Sequence, residues 1–517
     1  MKGERIVIVG SGPCGLGAAW RLRELNVENF IVLEKFSFSG GLACTEIDDQ
    51  GFLWDMGGHV IFSHYQYFDR LLDHVTKDWC KHHRVASIWM RGKFIPYPLQ
   101  NNIHHLPKEE LQICLDGLLE VERKRDSLGP PQHFGQWLER SFGPGLMEVF
   151  LTPYNRKVWG VEPREMNVEW MGERVAMVDL ATVMKTIVSG EDQSSWGPNH
   201  FFRFPLHGGT GSVWSALCGH IGQEKFRFNT KVVSINTDQK LIYLEDGSTE
   251  SYDYLISTMP LDRLCAAITG LGTEDLAAKA SQFYHSSSHI IGLGFAGQPP
   301  PHLKDKCWMY FPEDTCPFYR ATMFSKYSPY NVPKPGEQWS LMLEVTETGA
   351  TPSQADALID EVIEGAVRVK LLTSEDCTKI ISRYHKRLEY GYPVPFLGRD
   401  ELCGPIFEVL ESKSIFSRGR FGSWKYEISN QDHVMMQGVE VVDRIVFGAE
   451  EVTFYHPDVV NSVRHQEVPR VPEVPHVPPT YHDCEQILRD VLVEKSKIKS
   501  SLEIENPMQF RSCFQLL

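Results

Sequence analysis

An α/β chain of several domains is predicted, with a parallel-sheet domain assembled from separated stretches, a helical insertion and a second sheet that is mostly antiparallel. Three observations predict it. The N-terminus runs Val7-Ile8-Val9-Gly10-Ser11-Gly12-Pro13-Cys14-Gly15, an apolar strand pattern leading through glycines into a helix-like run from Leu16 to Leu25. The texture turns helical after Leu106 and then, between residues 283 and 400, becomes rich in aromatic and β-branched residues. Two later stretches, 254–258 and 417–424, read as the chain returning to the first domain.

The opening unit is a dinucleotide-binding fingerprint in its expected setting. Glycines let the backbone approach a pyrophosphate, the following helix points its N-terminus at that charge, and Glu34, after Phe30-Ile31-Val32-Leu33, is placed for ribose hydroxyls. The 517 residues exceed what one core accommodates. With 52 basic against 67 acidic residues, the net charge of −15 opposes nonspecific binding to nucleic acid or anionic lipid, so an anionic ligand requires locally gathered arginines. No apolar run reaches the roughly 20 residues that span a bilayer, and only Ile6 to Val9 precede the glycine loop, so no signal peptide is read. A cytoplasmic location is expected. The 12 cysteines lack paired ligand spacing, and neither a structural disulfide nor a metal site is expected from them.

Next come Gly40-Gly41-Leu42 and Gly57-Gly58-His59 on either side of a short hairpin, as where backbone lies against a flat ligand. Leu111, Leu115, Leu118 and Leu119 share one helical face, and 134–150 and 168–188 continue the helical pattern. Strands are expected at 231–235 and 241–244, and one helix at 354–369 within the second sheet region. The apolar period through Met435, Val439, Val442 and Ile445 predicts a helix whose positive end faces the cofactor. The expected division is 1–104, 205–262 and 413–458 for the nucleotide domain, 105–204 helical, 263–412 antiparallel, 459–480 a Pro-rich linker, and 481–517 a C-terminal helix and tail. That helix packs on its own subunit or joins a homo-oligomer.

Two glycine-rich approaches, an acid after the second strand and a late returning helix match large FAD-binding folds better than nicotinamide dehydrogenases. The discontinuous Rossmann-like domain is therefore assigned FAD. The reaction does not follow from this, because the reactive atom belongs to the cofactor.

Residues 1 to about 458 resemble the eukaryotic-type UDP-galactopyranose mutase family. The strings that carry the resemblance are Gly57-Gly58-His59-Val60-Ile61-Phe62-Ser63-His64-Tyr65, Pro96-Tyr97-Pro98-Leu99-Gln100-Asn101-Asn102, Pro153-Tyr154-Asn155-Arg156-Lys157-Val158-Trp159, Cys307-Trp308-Met309-Tyr310-Phe311-Pro312 and Arg418-Gly419-Arg420-Phe421-Gly422-Ser423-Trp424-Lys425-Tyr426. The resemblance implies a flavin-dependent isomerase that interconverts UDP-galactopyranose and UDP-galactofuranose without net redox change. Reduced FAD N5 is then the covalent nucleophile at the anomeric carbon, and NADPH is the reductant.

It also implies roles for individual residues. His59, Arg174 and Arg320 are expected to be catalytic. Arg320, Tyr327, Tyr392 and Tyr426 would clamp the diphosphate, with Trp308 and Tyr310 flanking it and Asn430 nearby; Arg174 and Asn199 would face the galactose. Tyr97, Gln100, Phe150, Asn155 and Trp159 would hold uridine. Gly10, Gly12, Cys14, Gly15, Glu34, Gly41, Leu42, Gly57, Gly58, His59, Val232, Arg420 and Gln431 would bind the cofactor. His59 would lie beside the isoalloxazine, with a charge that responds to flavin redox state. A nicotinamide site is implied around Arg84 and His64. Leu99 stands where an aromatic also occurs in the family.

Plainer roles compete. An interface arginine is often a structural ion pair, Trp159 a core residue, and Asn155 a helix cap. At the level of the whole chain, an FAD-dependent amine oxidase or desaturase is the main alternative and would need an apolar tunnel. A non-catalytic, flavin-stabilised scaffold is the second.

Overall fold

The computed structural model describes residues 3–462 apart from 125–128, 172–173, 194–196, 198–199, 350 and 352–353. The C-terminal helix expected at 481–517, and the linker beyond residue 462, lie outside the described residues. Val459 and Val460, expected to begin that linker, instead end a short buried helix, Pro457–Val460.

A five-stranded, all-parallel sheet has the order Ile415–Ser417, Tyr254–Ser257, Ile6–Val9, Phe30–Leu33, Phe226–Arg227. Its strands come from three separated stretches of chain. The central strand is β-branched and buried along its whole length, as a strand covered on both faces has to be. The helix Pro13–Glu24 follows it, and the late helix Gln431–Phe447 lies directly against that one. The approach is close because glycines stand on both sides. A Cβ on Gly17 would come within 2.3 Å of the Met435 carbonyl, and one on Gly438 within 2.0 Å of the Cys14 carbonyl.

The second sheet has seven strands in the order Ile380–Pro393, His285–Ala296, Gln338–Thr346, Arg320–Thr322, Trp308–Tyr310, Ala86–Met90, Lys93–Pro96. Every pairing is antiparallel except that of Trp308–Tyr310 with Ala86–Met90. The last two strands lie within 1–104, so this early hairpin carries Tyr97 to the far sheet rather than to the nucleotide domain. The helix Ala355–Arg368 seals one face through Leu358, Ile359, Val362 and Ala366, which pack with Leu341, Leu343 and Phe295.

The insertion is helical at Lys108–Lys124, Phe134–Leu146, Thr152–Trp159 and Leu180–Ser189. The helical pattern expected over 168–188 holds only from Leu180. Asp179 accepts a hydrogen bond from the Thr182 N–H at 2.9 Å and so starts the helix there, while Trp170 is drawn into the core between Trp159 and Phe134. Before it, Met147–Leu151 form one π-turn after a break at Gly143 and Pro144. The irregular chain this leaves near residue 174 is what delivers Arg174 to the site.

Candidate active site

On the nucleotide side, the backbone does most of the shaping. Gly12 caps the Pro13–Glu24 helix without any side-chain hydrogen bond, so the first-turn amides stay open to an anion. Gly41 approaches from the Gly41–Ala43 turn with Leu42. A Cβ on Gly41 would lie 3.1 Å from the Gly12 Cα, and its φ of +53° is left-handed. This side-chain-free cradle fits a dinucleotide pyrophosphate. Gly10 and Gly15 complete the turn, a Cβ at Gly15 being blocked 1.9 Å from the Gly10 carbonyl. Glu34 is buried and accepts from Ser11 N–H at 2.7 Å, Ser11 Oγ at 2.8 Å and Phe36 N–H at 3.0 Å, so its carboxylate is drawn into the loop. Cys14 is buried, and burial pushes its thiol up, which leaves it chemically inert. Val232 begins the Val232–Asn236 strand, and Gln431 accepts from the Trp214 indole at 2.8 Å.

The two halves meet at Glu344. This carboxylate takes both arms of Arg320, Nε and Nη2, at 2.7 Å each, the Tyr319 hydroxyl at 2.8 Å, and the Gly58 N–H at 3.1 Å. A Cβ on Gly58 would stand 2.9 Å from the Trp308 indole nitrogen and 2.7 Å from Thr322 Oγ1. The histidine loop, Trp308 and Arg320 thus share one small space. Burial pushes Glu344 up, but the Arg320 guanidinium and the donated hydrogen bonds override it and hold the carboxyl below its usual range. Arg320 is the structural ion pair that the plainer reading allowed, and its Nη1 edge is left over for a ligand.

His59 is half-buried, with Nδ1 enclosed and without a partner. Burial pushes its imidazole down to about 4, helped by Arg420 and Arg320 and opposed by Glu344. It is therefore neutral near pH 7. Trp308 Nε1 and the Tyr327 hydroxyl are likewise buried without partners, a set of polar atoms with hydrogen-bonding capacity to spare.

Around them stand Tyr392, whose hydroxyl is 3.3 Å from that of Tyr319, and Tyr426. The Arg420 guanidinium lies 5.2 Å from the Tyr392 ring and 5.7 Å from that of Tyr426, and it donates to Ser429 and to the Gly391 carbonyl. Arg174 lies 4.5 Å above the Tyr426 ring and donates to Asn430 Oδ1 at 3.3 Å and the Glu427 carbonyl at 3.1 Å. Burial pushes Arg420 down, and Arg174 adds to that. Arg320 is paired with Glu344, whereas Arg174 and Arg420 bond only neutral groups here, so the pocket is locally cationic in an acidic protein.

Most of the residues expected to hold uridine lie in an aromatic wall. Tyr97 and Tyr310 are 5.3 Å apart, Tyr310 and Tyr154 5.7 Å, and Tyr154 stacks on Phe150 at 5.5 Å. Trp159 is buried edge-on to Tyr426 at 4.8 Å and Tyr392 at 5.6 Å and so supports both tyrosine rings. Gln100 donates to the Ala176 carbonyl at 2.8 Å and keeps Oε1 unpartnered; Asn155 donates to the Leu151 carbonyl at 2.8 Å, as a helix residue does. Leu99 is fully buried in the core and offers no face for stacking. Asn199 lies outside the described residues. Of the two residues named for a nicotinamide site, Arg84 sits over Tyr97 and Trp308, at 5.4 and 5.5 Å, beside the pocket. His64 is instead buried, its Nδ1 bonded to Asp432 at 2.7 Å.

Sequence reasoning missed Glu344, Tyr319, Tyr154 and Asp432. One signal was available for Glu344: it is the only charged residue in Gln338–Thr346, a strand otherwise fit for complete burial.

The sequence profile described as flavin containing amine oxidoreductase matches residues 13–367. A solved structure of reduced UDP-galactopyranose mutase is 46% identical, covers 90% of this chain and 98% of its own, and superposes with a TM-score of 0.87. The chain belongs to the UDP-galactopyranose mutase family. A putative protoporphyrinogen oxidase from Exiguobacterium sp. 255-15, 17% identical with a TM-score of 0.66 over 87% of this chain and 100% of its own, shares the fold alone with this mutase-family chain. Among curated proteins, a probable flavin-containing monoamine oxidase A of Dictyostelium discoideum is 22% identical over 49% of the chain and 57% of its own length, so the match spans little more than half of that relative. The expected α/β fold with its mostly antiparallel second sheet is that of this mutase family. No helix among the described residues is long and apolar enough to cross a membrane.

Proposed function

We propose that this protein is a flavin-dependent isomerase that interconverts UDP-galactopyranose and UDP-galactofuranose, with FAD active in its reduced form and NADPH as the reductant. The observation that carries the reading is the junction at Glu344, where a guanidinium fork, a tyrosine cluster and the Gly57-Gly58-His59 loop converge between a side-chain-free cradle and an aromatic wall. An amine oxidase would line this space with apolar side chains, and three arginines occupy it instead.

Gly10, Gly12, Gly15, Gly41, Leu42 and Glu34 would hold the dinucleotide, with His59, Arg420 and Gln431 nearer the ring. Reduced FAD supplies, when bound, the N5 nucleophile that the anomeric carbon requires. What the chain adds is placement and charge. Arg320 presents its free Nη1 edge, and Tyr327, Tyr392 and Tyr426 present hydroxyls, to a diphosphate whose charge grows as it departs. Glu344 keeps the fork from rotating, so that little reorganisation remains for the reaction itself. Arg174 and Arg420 add positive charge without offering a nucleophile. Tyr97, Tyr154 and Phe150 exclude water and bind uracil by stacking, Trp159 backs the neighbouring tyrosines, and Gln100 and Asn155 offer amide groups to the base. Neutral His59 adds no charge beside the ring, and its free Nδ1 can exchange one hydrogen bond there.

The decisive experiment incubates the purified protein with UDP-galactofuranose, with and without chemical reduction of the flavin, and resolves the nucleotide sugars by chromatography. Formation of UDP-galactopyranose only under reduction is expected. A yellow, reducible protein that forms none overturns the reading. Oxidation of NADPH by the same preparation tests the reductant separately.

A further inference from the structure

Away from the catalytic cluster, the short turn Ile103–His105 presents two consecutive imidazoles to one carboxylate. His104 Nε2 and His105 Nε2 lie 3.2 and 2.6 Å from the same oxygen, Oδ1 of Asp192, which follows the helix Leu180–Ser189. The two rings are 4.3 Å apart and tilted by 38°, and one donor atom from each of the three side chains lies within 4.8 Å of the others.

The donors are gathered by something other than their own attraction. Asn102 is fully buried and ties the Asp192 segment down with two bonds, Nδ2 to the Gln193 carbonyl at 2.6 Å and the Gln193 N–H to Oδ1 at 2.8 Å. The same Asn102 amide bonds the Pro98 carbonyl at 2.9 Å, so the turn and the approaching segment share one anchor. Three ligand atoms held on a preformed frame bind an ion with little ordering cost.

The geometry points to a cation. A tetrahedral Zn2+ with bonds of about 2.0–2.1 Å sets its ligand atoms roughly 3.3 Å apart. The His104–Asp192 edge already has that length. The His105–Asp192 edge needs to open by about 0.7 Å on the same rule, a change of side-chain rotamer at Asp192, whose side chain is 43% exposed, with its backbone still anchored through Asn102. Two imidazoles and one carboxylate favour a borderline transition metal over Mg2+ or Ca2+, which prefer oxygen ligands throughout.

We propose that His104, His105 and Asp192 form a binding site for a divalent metal of the zinc class, with three protein donors and solvent in the remaining position. An ion there staples the segment after Leu180–Ser189 onto the turn that follows Gln100.

The test uses the flavin-loaded enzyme, stripped with a chelator and dialysed against Zn2+, with Mg2+ in a parallel arm. Wild type is expected to hold one equivalent of Zn2+ in preference to Mg2+. His105→Ala and Asp192→Asn should each weaken that binding at least about tenfold, the lower end of what a lost supporting group costs a metal site. Zinc should also slow amide exchange across residues 180–193 in wild type and leave both variants unchanged. Flavin absorbance reports that each variant is folded, and His105→Gln replaces any that is not. Zinc held equally by wild type and variants, or by neither, overturns the proposal, as does exchange slowed alike in all of them.

Discussion

The half of the pocket proposed to hold the cofactor and the half proposed to hold the sugar nucleotide are made of different material. The first is backbone: Gly12 facing Gly41, an uncapped helix start, and a loop drawn together by Glu34. The second is side chain: arginines, tyrosines and tryptophans gathered from strands, helices and loops between residues 97 and 430, held by Glu344 and by one another. Backbone sites fail by obstruction and side-chain sites fail by loss of charge or support. The two halves therefore respond to different substitutions, and each test below separates them.

The largest effect is expected from obstruction. Gly12→Val places two methyl groups in the cradle, and the purified protein should be colourless, with no flavin released on denaturation. Retained yellow colour would remove the cradle from the cofactor site. Next comes loss of charge. Arg320→Ala should lower turnover by roughly 100- to 1,000-fold, the range seen when a transition-state hydrogen-bond donor is deleted, while flavin content stays normal; turnover near wild type breaks the proposed division of labour.

Glu344→Ala sits on the seam and removes support from both halves at once. It strands a buried guanidinium, at a cost of about 3–5 kcal/mol by the usual penalty for a broken buried pair, read as a lower midpoint in denaturant, and it frees the Gly58 loop. A midpoint shift without loss of turnover would mean that Glu344 serves stability alone. Tyr319→Phe removes one of the same carboxylate's hydrogen bonds and should cost about 1.5–3 kcal/mol, the range for a bond to a charged group, with turnover falling less than in Glu344→Ala.

The smallest effect is one of pH. His59 titrates near 4 in the folded protein against about 6.5 when unfolded. Its folded pKa is depressed, so the unfolded state binds more protons between those values and stability falls as pH drops from 6.5 towards 4. Unfolding midpoints of His59→Asn should be less steep across that window and unchanged above pH 7. Identical slopes would show that His59 is solvated.

This contrast also explains what the sequence disclosed. Glycines at 10, 12, 15, 40 and 41 announce the cofactor half because crowding or a left-handed backbone excludes side chains at 10, 15, 40 and 41, while at 12 only a bound ligand would, so composition and spacing carry the constraint directly. The sugar half has no such local grammar. Tyr97, Trp159, Arg320 and Tyr426 come together only because a hairpin at Ala86–Met90 and Lys93–Pro96 joins a sheet more than 200 residues downstream, and they are recognisable through family resemblance rather than through spacing. Glu344 was obscured because a lone acid in an apolar strand is ambiguous until its partner is known. The overextended helix at 168–188 has a similar cause: Trp170 and Val175 continue an apolar period, but the cap at Asp179 and the pull of Trp159 on Trp170 decide the path.

The paired glycines Gly17 and Gly438 bring together helices from opposite ends of the chain. During synthesis, that contact is available only after nearly the whole described chain has left the ribosome. The opening strand and glycine loop emerge first, but the surface that covers their helix emerges last. The apolar face of the first helix therefore has no native cover through most of translation, and the nucleotide domain closes only when the late helix arrives.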